Sequence, residues 1–139
     1  MDLGTRRVGV AVSDDGGRVA TPHTVIVRTG DDSADRVRLI SVIGDLGADQ
    51  VVVGLPLSLD GSTGPAARWA IDEAEVLRSL LGVPLELHDE RLSTLTVLRT
   101  PVLGGGRKSR RKPVDGQAAA VMLQSWLDGR RRAPEEARP

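Results

Sequence analysis

The sequence predicts an α/β fold: a mixed five-stranded sheet, built from a three-strand antiparallel meander plus parallel strands and flanked by helices. Three observations carry this expectation. The chain opens with short apolar stretches separated by turn residues, Val51-Val52-Val53-Gly54-Leu55 is a continuous apolar run of the kind found in strands covered on both faces, and helical stripes alternate with strands from there on. The core must be aliphatic, because Trp69 and Trp126 are the only aromatic residues and the chain is 40% hydrophobic. A chain of 139 residues is one domain of ordinary size.

Each element follows from its local pattern. The opening stretch around Asp2 reads as a strand and turns at once into a second, Val8 to Ser13. Asp14-Asp15-Gly16-Gly17 is a turn, and Arg18 to Arg28 is a returning strand interrupted by Pro22. Ser33 is placed to cap a helix running to about Leu46, with Val37, Ile40, Val42 and Ile43 inward and Gly47 beyond its end. After the 51–55 strand, Pro56 stops the run and a loop containing Asp60-Gly61 leads to Pro65. That proline opens a helix with Ala66, Ala70, Ala74, Leu77 and Leu81 at helical spacing, ended by Gly82. Val83 to Asp89 is the next strand. From Arg99 to Lys112 periodicity is lost in Pro101, three glycines and a basic cluster, which reads as a mobile loop. Pro113 opens a last helix on which Asp115, Ala119, Met122 and Trp126 share one face, so a carboxylate lies one turn above a core stripe. Residues 1–128 form one domain in this reading, and 129–139 a disordered tail.

Composition excludes several classes. Without cysteine there is neither a disulfide nor a thiolate metal site, and a reducing cytoplasm is the expected location. The apolar runs fall far short of the ~20 residues of a membrane span. The net charge is zero but unevenly laid out: residues 1–98 carry nine basic and fifteen acidic side chains, residues 99–132 nine basic and two acidic. An acidic body beside a basic segment suits a polyanion-binding protein that keeps carboxylates for another task.

Three acids stand out. An unpaired carboxylate is costly in an apolar strand, so Asp2 predicts a compensating metal, cation or set of donors, the plain alternative being an end-of-chain residue that reaches solvent. In Leu85-Glu86-Leu87-His88-Asp89-Glu90-Arg91 the strand ends at Asp89 and Glu90, where ligands collect in sheets of this type; capping a helix at Ser93-Thr94 or pairing with Arg91 is the plain alternative. Asp115 either complements a helix dipole or joins a site. Together, carboxylates from two strands and a helix make a hard-oxygen set suited to Mg2+ or Mn2+ and not to zinc. Two such ions about 4 Å apart can clamp the attacking and leaving oxygens of a phosphodiester. His88 shares the polar face but reads as a structural histidine. The cluster Arg107, Lys108, Arg110, Arg111 and Lys112 ends just before Asp115 and would deliver positive charge to the rim of that site, or simply form a solvated loop. With no Phe or Tyr to stack on bases, contact to nucleic acid is expected through backbone and shape.

Four stretches carry a resemblance: Asp2-Leu3-Gly4-Thr5-Arg6-Arg7-Val8-Gly9-Val10-Ala11-Val12-Ser13-Asp14, Val52-Val53-Gly54-Leu55-Pro56-Leu57 with Asp60-Gly61, Asp89-Glu90-Arg91-Leu92-Ser93-Thr94, and Val114-Asp115-Gly116-Gln117-Ala118-Ala119. In this order they are similar to the YqgF/RuvX family. The resemblance spans residues 1 to about 128 and implies an RNase H-like fold and a cytoplasmic nuclease that processes the 5′ end of the 16S ribosomal RNA precursor. Some members are instead described as Holliday junction resolvases. It also implies that Asp2, Glu90 and Asp115 are the metal-binding catalytic acids, that the substrate is structured RNA or branched DNA, and that the protein acts as a monomer or homodimer away from membranes. Two features depart from the family pattern. Only Met1 precedes Asp2, so either the start is misassigned or truncated or the first strand is a stub, and Pro101 with Gly104-Gly105-Gly106 interrupts a region where members tend to continue a helix. Two rival readings are a non-catalytic RNA-binding module in ribosome assembly and an ATP-binding domain of the actin and sugar-kinase type. The second needs another domain of comparable size to close over the nucleotide.

Overall fold

A computed structural model describes residues 1–57, 60–89 and 115–132, with the side chains of residues 115, 116, 131 and 132 left aside. Its elements are β1 (Asp2–Leu3), β2 (Arg7–Ser13), β3 (Ala20–Val27), α1 (Asp32–Leu46), β4 (Val51–Leu55), α2 (Pro65–Leu80), β5 (Leu85–Asp89) and α3 (Asp115–Arg132).

The antiparallel meander forms as expected, in the order β1-β2-β3, and β4 pairs with β5 in parallel. A single five-stranded sheet does not. The strands divide into a three-stranded and a two-stranded sheet, because β1 is only two residues long. The join is made by Met1, whose amino group donates to the Val52 carbonyl at 2.5 Å and whose carbonyl accepts from the Gly54 N–H at 3.0 Å. Those two bonds set Met1 beside Val53 in parallel register, and the strands then lie in the order β3-β2-β1-β4-β5.

Pro22 lies within β3 without breaking it. It sits opposite Ala11 where the register slips between Val10 and Ala11, leaving His23 unopposed, and β3 is the terminal strand of its sheet. Edges and bulges are where a strand tolerates a residue with no N–H to give. The preceding turn is tied by Asp14, whose carboxylate accepts from the Arg18 N–H at 2.7 Å and the Val19 N–H at 3.2 Å. These backbone donors, Arg18 first, hold its carboxyl below the ordinary aspartate value.

Alternation along the strands divides the residues between two faces. One face carries Met1, Leu3, Val8, Val10, Val51, Val53 and Leu85, which pack with Leu39 and Ile43 of α1 and Ala74 and Leu77 of α2 in the main core. Helix α3 covers the other, lying across β2 and β3 and reaching β1 and β4. Its buried residues are Ala119, Met122 and Leu127. Leu127 takes the place expected of Trp126, whose indole instead donates to Glu86 at the start of β5. The helix runs through Arg132, so residues 129–132 extend it where a tail was expected. Arginine is a good helix former, and a lone glycine costs only about 1 kcal/mol.

Helix α1 corrects two expectations. Its N-cap is Asp31, which accepts from the Ala34 N–H at 3.2 Å, and not Ser33. Val37 is 67% exposed, and the buried positions are Asp35, Leu39 and Ile43. The helix is turned by polar contacts at its start: Asp35 accepts from the Thr29 hydroxyl at 2.9 Å and the Thr29 N–H at 3.1 Å, with Arg28 and Arg38 at 3.9 and 3.8 Å. Burial works against ionising this carboxyl; the Thr29 bonds and the two arginines outweigh burial and lower its pKa. In α2 the buried alanines are Ala67, Ala70 and Ala74, so Ala66, expected inward, is exposed. Glu73, also buried, accepts a bidentate pair from Arg36 with both bonds at 2.8 Å and links α2 to α1.

Gly4 makes the β1–β2 turn. Its N–H bonds the Arg7 carbonyl at 2.9 Å, and a Cβ there would stand 2.6 Å from that same oxygen. Gly4→Ala therefore forces the turn apart. We expect a loss of about 2 kcal/mol of stability, read as a lower midpoint in urea, whereas an unchanged midpoint would mean that the turn shifts freely.

Candidate active site on the central strand

Asp2 pairs with Gly9 of β2 and, one step on from Met1, lies beside Gly54 of β4, which in turn pairs with His88 of β5. Cross-strand neighbours share a face, so one row across the sheet reads Gly9, Asp2, Gly54, His88. The carboxylate is flanked by two residues that have no side chain. It is half-buried and makes no side-chain hydrogen bond or ion pair with the described residues.

This is the face covered by α3. The C-terminal half of that helix meets the amino ends of the strands: Gln124 accepts from the Ala20 N–H at 2.9 Å and donates to the Arg18 carbonyl at 2.8 Å, Leu127 reaches Gly17, and Arg130 donates to Gln50 at 3.4 Å. Its N-terminal end is therefore directed toward the carboxyl ends of β4 and β5. Asp115 is the first residue of α3, and Glu90 directly follows Asp89, the last residue of β5. Asp2 and α3 thus lie on the same face, with the helix packed on β2 and β3 and reaching β1. Glu90, the Asp115 side chain and the basic cluster of Arg107, Lys108, Arg110, Arg111 and Lys112 lie outside the described residues. Among the described residues, no group of three or more histidines and acids is placed to hold a metal ion.

His88 is structural. Its Nε2 is 3.2 Å from the Ser125 hydroxyl of α3. Burial pushes its pKa below the usual value, against the opposing pull of Asp89 and Glu86. Because the folded pKa lies below the unfolded one, the stability tied to neutral His88 is present above about pH 6.5 and is lost as pH falls through the folded pKa. The ring resonance of His88 should accordingly titrate below 6.5 in an NMR series; a midpoint above 6.5 would contradict the burial argument.

The two glycines beside Asp2 were not singled out in the sequence, although a glycine inside a strand is a known mark of close approach by a ligand or backbone. An unpartnered carboxylate between them has the chemistry of a hard-cation ligand, and the space beside it is free of cross-strand side chains.

An antiparallel meander joined through Met1 to a parallel strand pair, with an aspartate on β1 and a helix across that aspartate's face, is the arrangement of the RNase H-like class of α/β fold. Two solved structures of Thermus thermophilus RuvC, one described as "in complex with Holliday junction substrate", superpose with TM-scores of 0.58 and 0.57 at 16% and 14% identity, each covering 94% of this chain and 93% of the other. The family model RuvX, described as Holliday junction resolvase, matches residues 1–129, and the chain belongs to that family. Curated relatives carry a different description. A protein of Anaeromyxobacter dehalogenans (strain 2CP-C) named "Putative pre-16S rRNA nuclease" is 45% identical over 135 residues, 96% of both chains. One of the same name from Mycobacterium sp. (strain KMS) is 45% identical over 96% of this chain and 80% of its own.

Proposed function

We propose that this protein is a metal-dependent endonuclease that hydrolyses phosphodiester bonds, with Asp2, Glu90 and Asp115 as the metal-binding catalytic acids. The observation that carries the reading is the half-buried Asp2 carboxylate, without a partner among the described residues, between Gly9 and Gly54 on the face crossed by the helix that Asp115 begins. An uncompensated charge in such a place is retained at a cost in stability, and a bound cation repays that cost.

The three acids suit two Mg2+ or Mn2+ ions, which when bound would supply charge neutralisation at the cleaved phosphate and an activated water. The chain's own contribution is placement. β1 holds Asp2 opposite Gly9 while Met1 ties the strand to β4, and neither Gly9 nor Gly54 sets a side chain beside the carboxylate. Arg107, Lys108, Arg110, Arg111 and Lys112 hold the nucleic-acid backbone in this reading.

The substrate we favour is the 16S ribosomal RNA precursor at its 5′ end, in the cytoplasm, supported by the names of the curated relatives. Among the described residues no helix is long and apolar enough to cross a membrane. The description of the family model supports a second reading, resolution of branched DNA, which requires two symmetric sites and hence a homodimer. The test is cleavage of precursor RNA, plain single strands and a four-way DNA junction side by side, with Mg2+ or Mn2+ and with EDTA. Precursor RNA should be cut only with metal. Junction cleavage alone would select the second reading, and no cleavage of any substrate would overturn both in favour of a non-catalytic RNA-binding module.

A further inference from the structure

A cavity of about 390 Å3 opens on the β1–β2 turn and is lined by Thr5, Arg6, Arg7, Arg28, Asp32 and Trp69. Four elements build it: the turn after β1, the end of β3, the start of α1 and the first turns of α2. Arg28 is its fixed floor. The side chain is only 8% exposed, its guanidinium stands 4.9 Å from the centre of the Trp69 ring, and it donates to Asp32 at 3.1 Å with Asp35 at 3.9 Å. Its backbone N–H is also bound, to the Arg6 carbonyl at 2.8 Å. Arg6 and Arg7 are exposed at the mouth, and Arg6 has no carboxylate partner among the described residues.

A buried guanidinium set over an indole and paired with carboxylates has already lost its rotamer freedom, so an anion that meets it bears little of that cost. The exposed Arg6 guanidinium and the Thr5 hydroxyl add donors at the mouth. Asp32 on the wall offsets part of the positive charge, which favours a singly charged phosphodiester over a doubly charged phosphate group. Thr5 is three residues beyond Asp2, at most about 10 Å of extended chain, or about three nucleotides of strand at 3.4 Å each.

We infer that this pocket is a phosphodiester subsite, gripping the nucleic-acid strand within a few nucleotides of the bond cut at Asp2. The inference rests on the nuclease reading for its substrate class, but binding alone can test it. In a Trp126→Phe chain Trp69 is the sole indole. Titrated without divalent metal, a short single-stranded oligonucleotide should change Trp69 emission saturably. Arg6→Gln, an exposed change, should weaken that response about threefold and reduce the salt slope by about 0.7, the value for one phosphate contact on a single strand.

A response to inorganic phosphate and none to the oligonucleotide would overturn the strand subsite, as would oligonucleotide binding by anisotropy with Trp69 silent and the Arg6 variant unchanged. A wild-type chain that cleaves nothing but shows the Trp69 response overturns the nuclease reading and leaves the subsite standing.

Discussion

Asp2→Asn is expected to reduce metal-dependent cleavage at least about a thousandfold, a barrier increase of about 4 kcal/mol, while oligonucleotide binding in EDTA stays as it was. Asparagine keeps the shape of the side chain and removes the charge on which cation binding depends. The same change should leave the thermal midpoint of the metal-free protein unchanged or raise it, because it relieves a half-buried charge that no described residue compensates. This pairing of a lost activity with a kept or improved fold separates a functional acid from a structural one. Lowered stability with cleavage retained would reverse the assignment.

Glu73→Ala should give the opposite pattern and the largest stability loss of the substitutions considered. Glu73 is 6% exposed, and both of its oxygens accept from Arg36, whose side chain is 24% exposed. Removing the carboxylate leaves a largely covered guanidinium without its partner and opens a gap between α1 and α2. The pair also raises the Arg36 pKa, through the Glu73 hydrogen bond first and its charge second, against burial. Loss of one partner in a buried pair costs about 3–5 kcal/mol, and the partial exposure of Arg36 puts this case near about 3. Urea unfolding measures it. Replacing both residues by methionine should recover most of the loss, since a well-packed apolar pair avoids the desolvation of two charges. A double variant no better than Glu73→Ala would show that the clamp acts by shape and not by charge.

How much of this was legible in the sequence depends on how local each feature is. The 51–55 strand and the helix beginning at Pro65 are written in short-range patterns, an unbroken apolar run and a proline at the first helical position, and both formed as read. The faces of α1 were not. Val37 looked like core by spacing, but Asp35 is drawn inward by Thr29, Arg28 and Arg38, and these contacts rotate the stripe. No periodicity encodes a carboxylate that is buried because its partners are.

The site divides in the same way. Asp2 was conspicuous as a charge in an apolar strand, and the order of the four motifs tied it to Glu90 and Asp115. The row Gly9, Asp2, Gly54, His88 was hidden, because it depends on two backbone bonds made by Met1 to a strand fifty residues away. The Arg28–Trp69 pocket was hidden for a similar reason. Its residues come from four elements, and none of them is unusual where it stands in the chain.

Mn2+ binding followed by electron paramagnetic resonance measures whether Asp2 is a metal ligand, without any assumption about substrate. The wild-type chain should bind two ions, and Asp2→Asn should bind them at least about tenfold more weakly. Equal Mn2+ affinity and stoichiometry in the two chains would rule Asp2 out as a ligand.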